Sequence, residues 1–152
     1  MTGRCGCASL RIRTIHADVN ASFQGDSIQR HGRVDLGVAV AIDGGLVTPV
    51  VRGADRRSVV DIAREVRELA ERARARKLRP DEMQGATFTI SNLGMFGVDQ
   101  FAAIINPPEA AILAVGAVVR KPVVRGDAVA VGHRLTLTLS CDHRTLDGAT
   151  AA

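Results

Sequence analysis

The run Ser140-Cys141-Asp142-His143-Arg144-Thr145-Leu146-Asp147-Gly148-Ala149 sets a histidine and an aspartate four residues apart, just after an alternating segment. Histidine is the side chain best suited to take a proton near neutral pH. A thiol, with a pKa of about 8.5, is mostly protonated at pH 7 and needs a base to release its thiolate. Neutral imidazole can do that and then return the proton to a leaving thiol. His143, among charged neighbours at a strand end, suits such a general base for acyl transfer between thiols. Asp147 can hold the loop or orient the ring, as the third group of a triad does. It can equally cap the helix that its neighbours begin, and both can hold at once.

Ser91 closes another predicted strand, against the glycine-bearing loop Ser91-Asn92-Leu93-Gly94-Met95-Phe96-Gly97. A hydroxyl there can donate to the oxyanion of a tetrahedral intermediate, or simply make a turn. No GxSxG surrounds it, so it is not read as a nucleophile. Gly94 and Gly97 do not form a phosphate loop, since neither GxGxxG nor a following Lys-Ser/Thr is present. Cys141, two residues before His143, invites a cysteine–histidine pair, but a small packing residue is the preferred reading. His16, His31 and His133 have no partners at ligand spacing. The three cysteines, Cys5, Cys7 and Cys141, form no CxxC pair. They read as reduced thiols rather than a metal site or a disulfide framework.

These residues must be positioned by the elements around them. Val19 to Phe23 and Ser27 to Arg30 read as short strands about a Gln24-Gly25-Asp26 turn. Val34 to Ile42 and Leu46 to Val51 read as partners across Asp43-Gly44-Gly45. Ser58, with Asp61 three residues on, opens a helix in the manner of a capping box. Its stripe is Val59, Ile62, Ala63, Val66, Ala70 and Ala73, its charged face is solvated with Glu68 and Arg72 paired, and Pro80 stops it. Ala86 to Ser91 is a strand, Val98 to Ile104 a short helix broken by Asn106-Pro107-Pro108, Ala110 to Val119 a buried strand, and Arg134 to Leu139 a strand. Asp147 to Ala152 begins a helix.

At 152 residues the chain fits one domain. A 46% hydrophobic share permits a real core, but with no Trp or Tyr and four Phe it offers no aromatic platform for nucleic acid. The net charge of +4 comes from basic residues interleaved with acids. That suits an acidic partner or a phosphate-bearing ligand better than a nucleic acid. No apolar run reaches membrane-spanning length. Met1 to His16 carries arginine and no acid, a composition shared by transit peptides and irregular termini. Residues 1–17 are left unassigned.

From about Val19 to Ala152 the sequence resembles the catalytic domain of the 2-oxoacid dehydrogenase complex acyltransferases, the dihydrolipoyl acyltransferase or E2 components. Four segments carry the resemblance in order: Val34-Asp35-Leu36-Gly37-Val38-Ala39-Val40; Gly45-Leu46-Val47-Thr48-Pro49-Val50-Val51; Thr87 to Gly97 with Ile104-Ile105-Asn106-Pro107-Pro108-Glu109; and Leu139 to Ala149. The wording around Ser91 and His143 is most similar to the acetyl-transferring pyruvate dehydrogenase type. The resemblance implies an α/β (α+β) chloramphenicol acetyltransferase-like fold, a mixed sheet flanked by helices. It implies His143 as general base, Ser91 at the oxyanion and Asp147 steadying the histidine loop. It also implies coenzyme A and a lipoyl group on a separate domain as substrates. Expected partners are a homotrimer built into a larger core and the other dehydrogenase complex components, in the bacterial cytoplasm or the mitochondrial matrix. The family's domain begins upstream of Val19, with an arginine expected to pair with Asp147, and runs on past Ala149. Residues 18–152 are therefore expected to be a partial catalytic domain. The competing reading is an inactive fragment with an assembly role; a free-standing acetyltransferase for a small hydroxyl or amine is a third.

Overall fold

The computed structural model describes residues 16–152; Cys5, Cys7 and nearly all of the unassigned segment lie outside the described residues. A 3-10 turn, Ala17–Val19, leads into β1 (Ala21–Phe23), which pairs antiparallel with β2 (Ile28–Arg30). The expected hairpin across Asp43-Gly44 forms in one continuous register but splits in two. Its inner half, β3 (Leu36–Val38) with β6 (Val50–Val51), joins the main sheet, while β4 (Val40–Ile42) and β5 (Gly45–Val47) pair outside it. The split falls where the Ala39 N–H turns to the Ile90 carbonyl and Pro49 has no N–H to give.

Helix α1 (Val59–Arg74) begins as its sequence demands: the Ser58 hydroxyl accepts the Asp61 N–H at 3.1 Å. Its buried residues are Ile62, Leu69 and Ala73, with Val66 packed beside them. Leu69, rather than Ala70, thus completes the stripe. The charged face is less free than expected. Arg72 bonds Glu82 at 2.5 and 3.0 Å rather than pairing with Glu68. Arg72, then the Arg79 N–H, hold the Glu82 carboxyl at about 2.

The remaining strands are β7 (Phe88–Asn92), β8 (Ala111–Val115), β9 (Val119–Arg125), β10 (Ala128–Arg134) and β11 (Leu137–Cys141). The main sheet is mixed, in the order β11-β8-β7-β3-β6. β7 runs parallel to both β3 and β8, and the outer strands are antiparallel. Leu36, Phe88, Ile90, Leu113 and Val115 join Ile62 and Leu69 in one core under α1. Each such side chain contributes roughly 1.5–3 kcal/mol by leaving water.

Three sequence expectations give way to tertiary contacts. Val98 to Ile104 forms no helix; the Val98 carbonyl instead accepts the Ala117 N–H at 2.8 Å. Ala110 to Val119 is two strands, broken after Val115, where the Gly116 N–H turns to the Thr136 carbonyl. Arg134 to Leu139 straddles the gap between β10 and β11. β9 and β10 form a two-stranded hairpin apart from the main sheet.

Candidate active site

The loop that carries His143 is tied down on all sides. β11 ends at Cys141, whose side chain packs against the core, as preferred from sequence. The Asp142 N–H then donates to the Ala110 carbonyl at 2.8 Å, and the Asp142 carbonyl accepts from the Thr145 and Leu146 N–H groups. The Asp142 carboxylate takes the Arg144 N–H at 3.0 Å and its guanidinium at 2.7 Å. That guanidinium holds the Asp142 carboxyl below its usual range and lies 4.2 Å over the Phe23 ring. Leu146, buried in the core cluster, pins the far side of the turn. His143 is left exposed at the tip.

Asp147 caps α2 (Gly148–Ala151): its Oδ1 accepts the Thr150 N–H at 2.7 Å. That N–H, then the Thr150 hydroxyl, hold the carboxyl below its usual range, and the nearby His143 ring adds a smaller pull. Among the described residues no hydrogen bond joins Asp147 to the His143 ring.

Ser91 lies elsewhere. It pairs with Ala114, which pairs with Thr138, so Ser91 is level with the start of β11. His143 follows the other end of that strand. Thr138 to Cys141 covers about 10 Å, and the two strand spacings between β7 and β11 add about 10 Å across. Ser91 and His143 of one chain therefore stand at opposite ends of the sheet. Around Ser91 the main chain is closely fitted. A Cβ on Gly94 would meet the Gly116 carbonyl oxygen at 2.7 Å, and one on Gly116 would meet the Asp99 carbonyl oxygen at 2.1 Å. Only glycine fits at either position.

The Ser91 end also carries most of the exposed large apolar side chains among the described residues. Met95 and Phe96 follow β7, Val118 follows β8, and Leu135 and Leu137 open β11. Cross-strand pairs Val124–Val129 and Pro122–Val131 make one outward face of the β9–β10 hairpin, with Val124 74% and Val129 73% exposed. A hairpin alone is marginally stable in water, and such a patch marks a surface that meets another.

Sequence reasoning missed the roles of Asp142 and Arg144. Their spacing, with Thr145 following, was the available sign of a side-chain-stapled turn. His31 was set aside for want of partners, yet its Nε2 lies 2.7 Å from the Ser22 hydroxyl. Burial pushes its pKa down against the pull of Asp35. Among the described residues no group of three His, Cys, Asp or Glu is placed to hold a metal ion.

Residues 10–152 match the family model described as 2-oxoacid dehydrogenases acyltransferase (catalytic domain). The chain belongs to this family. It is 47% identical over 135 residues to the dihydrolipoyllysine-residue acetyltransferase component of the pyruvate dehydrogenase complex of Rickettsia felis. That match takes in 89% of this chain and 33% of the relative, so the chain spans about a third of that relative's length. A dihydrolipoamide acetyltransferase of Azotobacter vinelandii, solved to probe a serine, a histidine and an asparagine in its catalytic mechanism, superposes with a TM-score of 0.94. Its identity is 40%, over 98% of this chain and 62% of that one. The cubic core of a pyruvate dehydrogenase multienzyme complex gives a TM-score of 0.90 at 43% identity, over 96% of this chain and 60% of that one. A chloramphenicol acetyltransferase, at TM-score 0.53 and 14% identity over 94% of this chain and 68% of that one, shares the fold. The α/β class and mixed sheet expected from sequence are thus those of the E2 cores.

Proposed function

We propose that this chain supplies the catalytic domain that moves an acetyl group between a dihydrolipoyl thioester and coenzyme A, in a pyruvate dehydrogenase complex. The observation that carries the reading is a match of spacing. The serine, histidine and asparagine probed in the Azotobacter vinelandii enzyme are separated along that chain as Ser91, His143 and Asp147 are here, with aspartate where that enzyme has asparagine.

In the forward step, the His143 imidazole takes the proton of the coenzyme A thiol. The thiolate attacks the acetyl carbonyl carbon of the dihydrolipoyl thioester. Ser91 donates its hydroxyl to the resulting oxyanion. As the carbon–sulfur bond to the dihydrolipoyl group breaks, imidazolium returns the proton to that sulfur. Asp147 steadies the turn from its cap on α2. The lipoyl group arrives on a separate domain.

The opposite placement of Ser91 and His143 supports a site completed by two copies, within a homotrimer and a larger core with the other complex components. The apolar face at the Ser91 end supports the same arrangement. On this reading the work belongs to the cytoplasm in a bacterium and to the mitochondrial matrix in a eukaryote.

Complementation tests the reading directly. Ser91→Ala and His143→Ala chains are each assayed for thioester exchange between acetyl-dihydrolipoamide and coenzyme A, alone and after being unfolded and refolded together. Recovery of activity on mixing supports a shared site. Two chains that stay as inactive mixed as apart, while co-assembling by light scattering, defeat it.

A further inference from the structure

The β1–β2 hairpin adds little to the core. All three residues of β2 are exposed, and β1 buries Ala21 and Ser22 but leaves Phe23 half-buried. A two-stranded hairpin is marginal by itself, yet side chains close this one firmly. The Asn20 amide donates to the His31 and Arg33 carbonyls at 3.0 Å each, and the Ser22 hydroxyl meets His31 Nε2 at 2.7 Å. The other edge of β1 is fixed at Ala110, whose N–H donates to the Ala21 carbonyl at 2.9 Å, and Ser22 stands opposite Glu109 in an antiparallel bridge. The Ala110 carbonyl accepts the Asp142 N–H at 2.8 Å. One residue thus clamps β1 with its donor and the His143 turn with its acceptor. Two residues beyond each clamped point the side chains meet: the Arg144 guanidinium lies 4.2 Å over the Phe23 ring.

That contact matters because of what else Arg144 holds. Its Nε and Nη2 donate to the two Asp142 carboxylate oxygens at 3.0 and 2.7 Å, and its main-chain N–H donates to the same carboxylate at 3.0 Å. His143 sits between the two paired residues, inside the ring they close. The pair lies at the surface, with the Arg144 side chain 64% exposed, and an exposed ion pair alone holds two long side chains weakly. The face of Phe23 adds a directional contact that fixes the plane of the guanidinium.

We propose that the β1–β2 hairpin is a strap across the His143 turn, and that Phe23 is a positioning residue that aims His143 through Arg144. This rests on the acyl-transfer reading, in which His143 is the base. A base displaced by a fraction of an ångström moves protons more slowly while the thiols still bind. The whole chain is therefore compared with Phe23→Leu, Phe23→Tyr and Arg144→Lys in acetyl exchange between dihydrolipoamide and coenzyme A. Phe23→Leu stays apolar but loses the ring. It is expected to lower kcat about three- to tenfold with KM for both thiols unaltered, and Phe23→Tyr to keep the parent rate. Arg144→Lys keeps the charge and loses the flat face. It should lower kcat at least as much, and adding Phe23→Leu to it should cost little more. An unaltered kcat in Phe23→Leu, a Phe23→Tyr chain as slow as Phe23→Leu, or losses that multiply in the double variant overturn the proposal. Should Phe23→Leu fail to fold, Arg144→Lys decides alone, since its side chain is exposed: an unaltered kcat there overturns it too.

Amide hydrogen exchange gives a readout that needs no turnover. The Thr145 and Leu146 N–H groups, bonded to the Asp142 carbonyl, are expected to exchange about threefold faster or more in Phe23→Leu and at the parent rate in Phe23→Tyr. Unchanged exchange in Phe23→Leu overturns the strap. The two readings thus fail separately. Turnover that Phe23→Leu leaves intact removes the strap and leaves acyl transfer standing. A parent chain without turnover, in which Phe23→Leu still quickens exchange at Thr145 and Leu146, keeps the strap and counts against catalysis by the chain.

Discussion

At the His143 end of the sheet, side chains tie a short turn to the body: Asp142 to Arg144, Arg144 over Phe23, Leu146 into the core. At the Ser91 end the main chain is packed on itself, and apolar side chains from Met95 to Val131 face outward. The first end presents one exposed imidazole. The second presents exposed apolar side chains. The difference teaches that the two ends are held by different means: side chains fix the turn that carries His143, and main-chain contacts fix the loops that follow Ser91.

The largest effect should come from the base itself. His143→Ala is expected to lower thioester exchange by roughly 10²–10⁴-fold, read from initial rates with both thiols saturating. A chain that keeps more than a tenth of the parent rate would break the assignment of roles to the two ends. Next comes the anchor of the His143 turn. Leu146→Ala should cost about 2–5 kcal/mol, with the smaller values if the turn can settle into the cavity. Urea unfolding measures it, and an unchanged midpoint would mean that the turn is not held from the core.

At the other end, Val124→Lys with Val131→Lys places charges on the hairpin's outward face. Light scattering is expected to show smaller particles, with the circular dichroism of the fold preserved, because these side chains are mostly exposed among the described residues. An unchanged particle mass would remove the hairpin from the interface.

The smallest effect sharpens the comparison by pH. Burial raises the Glu109 carboxyl in the folded chain, so the folded state binds its proton more tightly than the unfolded state does. Stability from this group is then present below the unfolded pKa and lost as pH rises through the folded one. Glu109→Gln keeps the shape and removes the titration. Its melting temperature should fall less between mildly acidic and neutral pH than the parent's does. Parallel melting curves across that range would show that Glu109 is not raised.

What was legible in the sequence was local. Ser58 with Asp61 and the 3.6-residue stripe announced α1 because a cap and one face suffice to start and bury a helix. Asp147 was readable as a cap for the same reason. The four family segments located His143, Ser91 and Asp147 together, but no spacing could tell that Ser91 and His143 of one chain stand at opposite ends of the sheet. That follows only from strand register, through Ala114 and Thr138. Val98 to Ile104 failed as a helix because its backbone is claimed by the corner at Gly116 and Ala117. β10 was hidden because Ala128 to Arg134 buries almost nothing, so the hydrophobic pattern had no second layer to obey.

The interlocked Gly94 and Gly116 give the Ser91 end a seam of bare backbone. There main-chain atoms meet main-chain atoms, and the Asn92 side chain closes the loop by accepting the Gly94 N–H at 2.9 Å. A single methyl group added at either glycine would collide with a main-chain carbonyl oxygen of the facing loop. The opposite pole, where side chains staple the turn that carries His143, can instead be altered one residue at a time.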